Sequence, residues 1–305
     1  MVFPGQGSQS QGMQAELAAE FSEVQAVYAE ASDILGYDLW QLVQDGPAER
    51  LGETVVTQPA MLTAGYAAWQ AWISVGGQAP QQVAGHSLGE YTALVCADAV
   101  SFADALTVVQ RRSELMQQAV PAGAGAMAAI LGLDDAAVID VCEQAAGNGV
   151  ADAVNFNSPG QVVIAGDTAA IERAIELAKE RGARRAMLLP VSVPAHSALM
   201  RGAGEALADA LASAAIKTPA ITVVAASDAL PYGDGDDIRE RLSRQVYAPV
   251  QWVLTIQAML SGGATAIIEC GPGKVLTGLM RRIDKSVSAS CLATADDVNR
   301  TKDSQ

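Results

Sequence analysis

The sequence predicts an α/β protein: a large unit built on a parallel sheet, interrupted by a smaller unit with its own order of elements. Three observations predict it. Short apolar segments alternate with stretches of helical apolar spacing, the pattern left by strands that cross over through helices to parallel neighbours. One such segment, Val83-Ala84, runs through Gly85-His86-Ser87-Leu88-Gly89 into a helical stretch. From residue 123 to 192 the order tightens to β-α-β-β-α-β, the split unit of a ferredoxin-like fold.

Taken in order, Val2-Phe3 before Pro4 is a short apolar lead-in, which predicts a first strand truncated at its start. Helical spacing predicts a helix over 13–35, a second following Pro59, and a third over 101–120. The inserted unit reads as strand 126–133, helix 134–146 opened by acidic residues, strand 150–156, the turn Asn157-Ser158-Pro159-Gly160, strand 161–165, helix 167–181 and strand 184–189. The large unit resumes with helix 197–214, strand 221–225, helices 238–246 and 250–260, and strand 266–270 running into Gly271-Pro272-Gly273-Lys274. The last ten residues, 296–305, read as a disordered tail. The large domain is therefore expected to comprise 1–122 and 193–305, with the small domain at 123–192.

Composition narrows the function classes. The chain has 305 residues, half of them apolar and 17% charged, which is ample for a packed core. A formal net charge of −15 argues against nucleic acid as a partner, because phosphate binding needs clustered Lys and Arg. The four cysteines are far apart, form no CxxC and share the chain with two histidines, so no metal site is expected. Reduced cysteines point to a cytoplasmic location. The start has neither a basic nor an apolar leader region, and uncharged runs such as 119–133 are short of a membrane span.

G-x-S-x-G between a strand and a helix is the pattern of a nucleophile elbow. The turn would project the Ser87 hydroxyl at the mouth of the sheet, above a helix N-terminus whose free N–H groups face a developing oxyanion. A serine nucleophile needs a base. His86 adjoins Ser87 and its side chain points to the opposite face of an extended segment, so it is expected to hydrogen-bond structurally. His196, where the inserted unit returns to the large one, is the remaining candidate.

Arg112 sits on the wrong face of its helix. Its neighbours three and four residues away are Val108, Val109, Leu115 and Met116. A guanidinium there faces the interior or a cleft, and no local carboxylate serves it. It pairs with a distant acid, snorkels to water, or awaits a substrate carboxylate held bidentately. Two glycine-rich loops fail as phosphate loops: Ser10 stands where G-x-G-x-x-G needs glycine, and Val275 follows Gly273-Lys274 where Walker A needs Ser or Thr.

The stretches FPGQGSQ, GHSLGEY, an arginine 25 residues after the serine, NFNSPGQVVIAG, VPAHS, RQVYAPVQW and GPGKVLTGL follow one another in order. Together they resemble the malonyl-CoA:acyl-carrier-protein transacylases, the stand-alone malonyltransferases of type II fatty-acid synthesis, over nearly the whole chain. The resemblance implies an α/β-hydrolase-like large domain with an inserted ferredoxin-like one. It implies Ser87 as nucleophile, His196 as base and then acid, and the N–H groups of Gln6 and Leu88 as oxyanion hole. It further implies that Arg112 binds the malonyl carboxylate, that the Gln245 main-chain carbonyl orients His196 without an aspartate, and that Asn157 helps to shape the site. Malonyl-CoA is the implied substrate and the phosphopantetheine of acyl carrier protein the acceptor, with no bound cofactor. Ala225 and Ala226 replace an expected asparagine, Asp98 an expected glycine, and Ser113 a glycine after the arginine. Candidate basic patches for an acidic carrier are Lys179, Arg181, Arg184 and Arg185, and Lys274, Arg281, Arg282 and Lys285. The rival readings are a malonyltransferase of polyketide synthesis or malonate decarboxylation, and a serine esterase or thioesterase.

Overall fold

A computed structural model describes residues 1–191 and 193–304. The described residues form nine strands: β1 Val2–Phe3, β2 Gln82–Gly85, β3 Gly125–Leu131, β4 Ala151–Ser158, β5 Gln161–Asp167, β6 Arg185–Leu188, β7 Thr222–Val224, β8 Ala266–Cys270 and β9 Ser288–Leu292. They form two sheets. The first runs β7-β2-β1-β8-β9 and every pairing in it is parallel. Its inner strands β1, β2 and β8 are buried along most of their length, whereas edge strand β9, Ser288–Leu292, exposes both of its serines. The second runs β4-β5-β3-β6, all antiparallel, with helices Asp135–Ala146 and Thr168–Glu180 packed on it. That is the ferredoxin-like order, read from the alternation of elements alone.

Each sheet has its own core. Val2, Ala84, Val224, Trp252 and Ile256 pack on one face of the parallel sheet, while Ala128, Ile130, Val141, Val162, Ile164 and Ile171 fill the small unit. Backbone joins the two: the Phe156 N–H donates to Val250 O at 2.9 Å, and the Val250 N–H to Val154 O at 2.8 Å. Strand β4 therefore hangs beside the carboxyl ends of the parallel strands, where open α/β sheets bind ligands.

The structure departs from the sequence expectations at several places. The helix expected over 13–35 is two, Ala15–Glu20 and Ser22–Leu35, because extended Phe21 turns inward to bury its ring. The helix expected after Pro59 begins earlier and spans Thr54–Ser74, with Pro59 inside it. Residues 198–200 form a 3₁₀ turn ahead of helix Arg201–Ser213. The expected disordered tail is instead helix Ala295–Asp303, started by a Thr294/Asp297 capping box and anchored by fully buried Val298; Gln305 lies outside the described residues. Helices Leu39–Asp45, Ala48–Gly52 and Val275–Ile283, and strand β9, are additional to the expected elements.

Candidate active site

Strand β2 ends at Gly85, and the next helix, Gly89–Cys96, starts four residues on. In between, Ser87 is held at φ +53°, in the left-handed region. For a non-glycine residue this is strained and persists only where surrounding structure enforces it. The flanking glycines are sterically required. A Cβ on Gly85 would lie 1.9 Å from the Gly89 carbonyl carbon, and one on Gly89 would lie 2.1 Å from Phe3 O. The loop after β1 crosses the elbow as closely, since a Cβ on Gly5 would meet His86 O at 2.5 Å. This brings Gln6 beside Leu88. Neither residue's N–H donates to a backbone carbonyl among the described residues.

His196 meets the elbow from 109 residues further along the chain. It too has positive φ, +67°, and its own N–H donates to Val246 O at 3.0 Å. Its Nε2 lies 2.7 Å from Ser87 Oγ, while Nδ1 lies 2.8 Å from Gln245 O and 3.1 Å from Ala248 O. Two carbonyls can only accept, so Nδ1 carries the proton and Nε2 is left to accept from the serine. Burial pulls the His196 pKa down to about 3, and the Arg112 charge and His86 push the same way. The ring is therefore neutral. Main-chain carbonyls do the orienting that a carboxylate does in a Ser-His-Asp triad.

Arg112, on helix Phe102–Gln118, is 1% exposed. Its guanidinium donates from Nη1 to Gln58 Oε1 at 2.6 Å and from Nη2 to Gln245 Oε1 at 3.0 Å, and it stands 5.6 Å from the Tyr91 ring centroid. Its Nε has no hydrogen-bond partner, and no carboxylate forms an ion pair with it among the described residues. Neither the distant-acid nor the snorkelling expectation is met; two neutral amide oxygens hold a full positive charge.

These groups share one cavity of about 110 Å³, lined by Gln6, Gln58, His86, Ser87, Leu88, Arg112, Asn155 and His196. Met116, Met127, Leu189, Val191, Val193 and Ala195 supply an apolar wall. In the low dielectric this creates, each polar contact inside is strengthened. His86 donates from Nε2 to Asn157 Oδ1 at 2.7 Å, and its ring stands 5.3 Å from that of Trp252. His86 thus faces away from the serine proton, as the strand geometry predicts, and ties the elbow to β4.

Gln58, Glu90 and the Gln245 side chain also belong to the site, beyond the residues that the sequence marks. Gln58 lies in an apolar helix beside Pro59, and Glu90 opens an apolar one. A polar residue inside such a run was the available signal. The residues that depart from the family pattern are accommodated. The Ala226 N–H donates to Glu90 Oε1 at 3.1 Å, so main chain supplies a polar contact there. Asp98 takes φ +56°, a conformation that favours glycine, and pairs with Lys217 at 2.8 Å. Ser113 Oγ donates to Gln110 O at 2.7 Å. The described residues hold no cluster of three or more His, Cys, Asp or Glu suited to a metal, and no helix long and apolar enough to cross a membrane.

A doubly covered parallel sheet that presents a strained elbow serine to a buried neutral histidine is the architecture of serine-type acyl transfer. The acyl transferase domain model matches residues 1–301, and the chain belongs to that family. It is 54% identical to the malonyl CoA-acyl carrier protein transacylase of Escherichia coli K12 over 95% of this chain and 94% of that one. To the Bacillus subtilis transacylase of the same name it is 41% identical, over 97% and 94%. Among solved structures, an acyl-carrier-protein S-malonyltransferase from Burkholderia pseudomallei 1710b superposes with a TM-score of 0.97 at 50% identity, covering 99% of this chain and 98% of that one. A malonyl-transacylase solved in complex with its type II PKS acyl-carrier protein gives 0.99 at 47%, covering 100% and 99%.

Proposed function

We propose that this chain transfers a malonyl group from malonyl-CoA to the phosphopantetheine thiol of an acyl carrier protein, supplying fatty-acid elongation from the cytoplasm. The observation that carries the reading is the convergence of Ser87, His196 and Arg112 on one cavity. The large domain, 1–122 with 193–305, supplies these three, and the small domain, 123–192, closes over them. No resident cofactor takes part; the phosphopantetheine arrives on the carrier.

In the first half, Ser87 Oγ attacks the thioester carbonyl as His196 Nε2 takes its proton. The Gln6 and Leu88 N–H groups hold the oxyanion. The C–S bond breaks, and coenzyme A leaves as a thiol with the proton from His196. In the second half the carrier thiol gives its proton to His196 and attacks the malonyl-serine ester, and Ser87 departs with that proton. Arg112 pairs with the distal carboxylate throughout. An acetyl group leaves that guanidinium facing apolar carbon, which is where discrimination arises.

Carrier docking calls for local positive charge on an acidic chain. Lys179 pairs with Glu176 at 2.7 Å and Arg181 pairs with Asp140, so half of the small-domain cluster is compensated. Lys274, Arg281 and Lys285 enter no ion pair among the described residues, which favours the main-domain cluster. The strength of the likeness to the polyketide-carrier complex supports one second reading, a polyketide carrier as acceptor.

Intact mass after mixing with malonyl-CoA tests the chemistry: wild type gains one malonyl group, and Ser87→Ala gains none. A wild type that only releases free malonate, with no transfer to a carrier thiol, would show a hydrolase instead. Competing fatty-acid and polyketide carriers in one assay separates the two acceptors.

A further inference from the structure

Three residues past the nucleophile, Glu90 is fully buried, with 0% exposure. Its Oε1 accepts from the Ala226 N–H at 3.1 Å and the Tyr232 hydroxyl at 2.7 Å. Its Oε2 accepts from Gln245 Nε2 at 2.6 Å. Burial raises the Glu90 pKa, but all three neighbours donate and the Arg241 charge pulls the same way as they do, so the contacts favour the ionised carboxylate, which can only accept. Gln245 Nε2 has a second target, the Ser87 carbonyl at 2.8 Å, and Gln245 Oε1 faces the other way, toward Arg112 at 3.0 Å. One amide thus separates a buried carboxylate from a buried guanidinium.

We propose that Glu90 is a positioning residue: it fixes the Gln245 side-chain amide with its oxygen on Arg112 and acts as the buried counter-charge of that guanidinium at one remove. The inference rests on the malonyl reading above. An amide has one accepting and one donating end. Flipping Gln245 would set its NH2 against the Arg112 donors and its oxygen against both the Glu90 carboxylate and the Ser87 carbonyl. The carboxylate makes that flip prohibitive, so one orientation survives. Interposing the amide also has a purpose that direct contact would defeat. A carboxylate bonded straight to Arg112 would occupy the donors that a substrate carboxylate needs. Set one amide back, Glu90 compensates the buried charge and leaves the guanidinium open on the cavity side. The same side-chain amide donates to the Ser87 main-chain carbonyl, and the main-chain carbonyl of Gln245 accepts from His196 Nδ1 at 2.8 Å. Clamp and nucleophile are therefore registered by a single residue that Glu90 holds.

Glu90→Gln keeps the shape and removes the charge. The readout is the ratio of kcat/KM for malonyl-CoA to that for acetyl-CoA. A loss of correctly folded enzyme lowers both terms equally and leaves the ratio where it was. The ratio is expected to fall about tenfold, the scale of coupling within a hydrogen-bonded network, mainly through the KM for malonyl-CoA. Gln245→Met should lower it similarly, and the double variant should fall no further than the stronger single one. An unchanged ratio in folded Glu90→Gln, or losses that add in the double variant, overturns the proposal. If Glu90→Gln does not fold, Tyr232→Phe removes one donor to the same carboxylate. It should shift the ratio a few-fold in the same direction, and an unshifted ratio overturns the proposal. Intact mass of the wild type runs alongside: absence of malonyl on Ser87 overturns the malonyl reading and this one with it, whereas normal malonylation with an unmoved ratio overturns this one alone.

Discussion

The two ends of the cavity are built by different means. At the nucleophile end the protein uses main chain. Ser87 is aimed by a left-handed turn, His196 by another, and the imidazole is oriented by the carbonyls of Gln245 and Ala248. At the carboxylate end it uses side chains. Arg112 is held by the amide oxygens of Gln58 and Gln245. The turn that aims Ser87 is set by local sequence and tolerates little adjustment; the side-chain network around Arg112 is assembled from distant helices and tunes one charge. Under the proposed function, the first end carries reactivity and the second selectivity.

The largest test removes the first end alone. Ser87→Ala should cut transfer by roughly 10⁴-fold or more, since without the nucleophile only positioning and the oxyanion donors remain. Arg112→Ala should do something different in kind. The malonyl-over-acetyl preference should fall by about 10³-fold while acylation of Ser87 by acetyl-CoA persists or rises, measured by intact mass with each thioester. Loss of both activities together would break the division.

A pH profile sharpens it next. His196 is held near 3 chiefly by burial, with Arg112 repelling the charged ring. A depressed pKa keeps the base neutral as pH falls, so the acid limb of kcat/KM should lie well below 6.5. Arg112→Ala removes a repulsion of the imidazolium, so the limb should move upward. A limb near 6.5 in the wild type would show that the ring is more solvated than its surroundings imply.

The same contrast explains what was legible beforehand. The elbow is local: five consecutive residues encode the turn, and the need for Gly85 and Gly89 follows from sterics at that corner. The βαββαβ unit was legible for the same reason, since its order is written in consecutive elements. Arg112 stood out because its own helix surrounds it with Val108, Val109 and Met116. Its partners did not, because Gln58 and Gln245 lie 54 and 133 residues away in sequence, and nothing local marks which buried amide meets which cation. The tail misled in the opposite way. A charged stretch of low hydrophobicity reads as disorder, yet Thr294, Asp297 and Val298 suffice to start and dock a helix. Phe21 likewise obeys helical spacing by sequence and breaks the helix to reach the core.

The smallest expected effect concerns the seam between the two ends. His86 belongs to the elbow by sequence but reaches across to Asn157 on β4, and this 2.7 Å bond joins the parallel sheet to the antiparallel one. Burial lowers the His86 pKa, so the ring is neutral and its Nε2–H needs an acceptor. Asn157→Ala takes that acceptor away and strands a half-buried donor, which should destabilise the protein by about 1 kcal/mol, read by denaturant unfolding. Rate should suffer far less than in Ser87→Ala, because the Ser87–His196 contact and both carbonyls behind His196 are untouched. A Ser87-sized loss of rate at normal stability would mean that the two ends are not separable, and that the elbow depends on the small domain for its reactivity as well as for its cover.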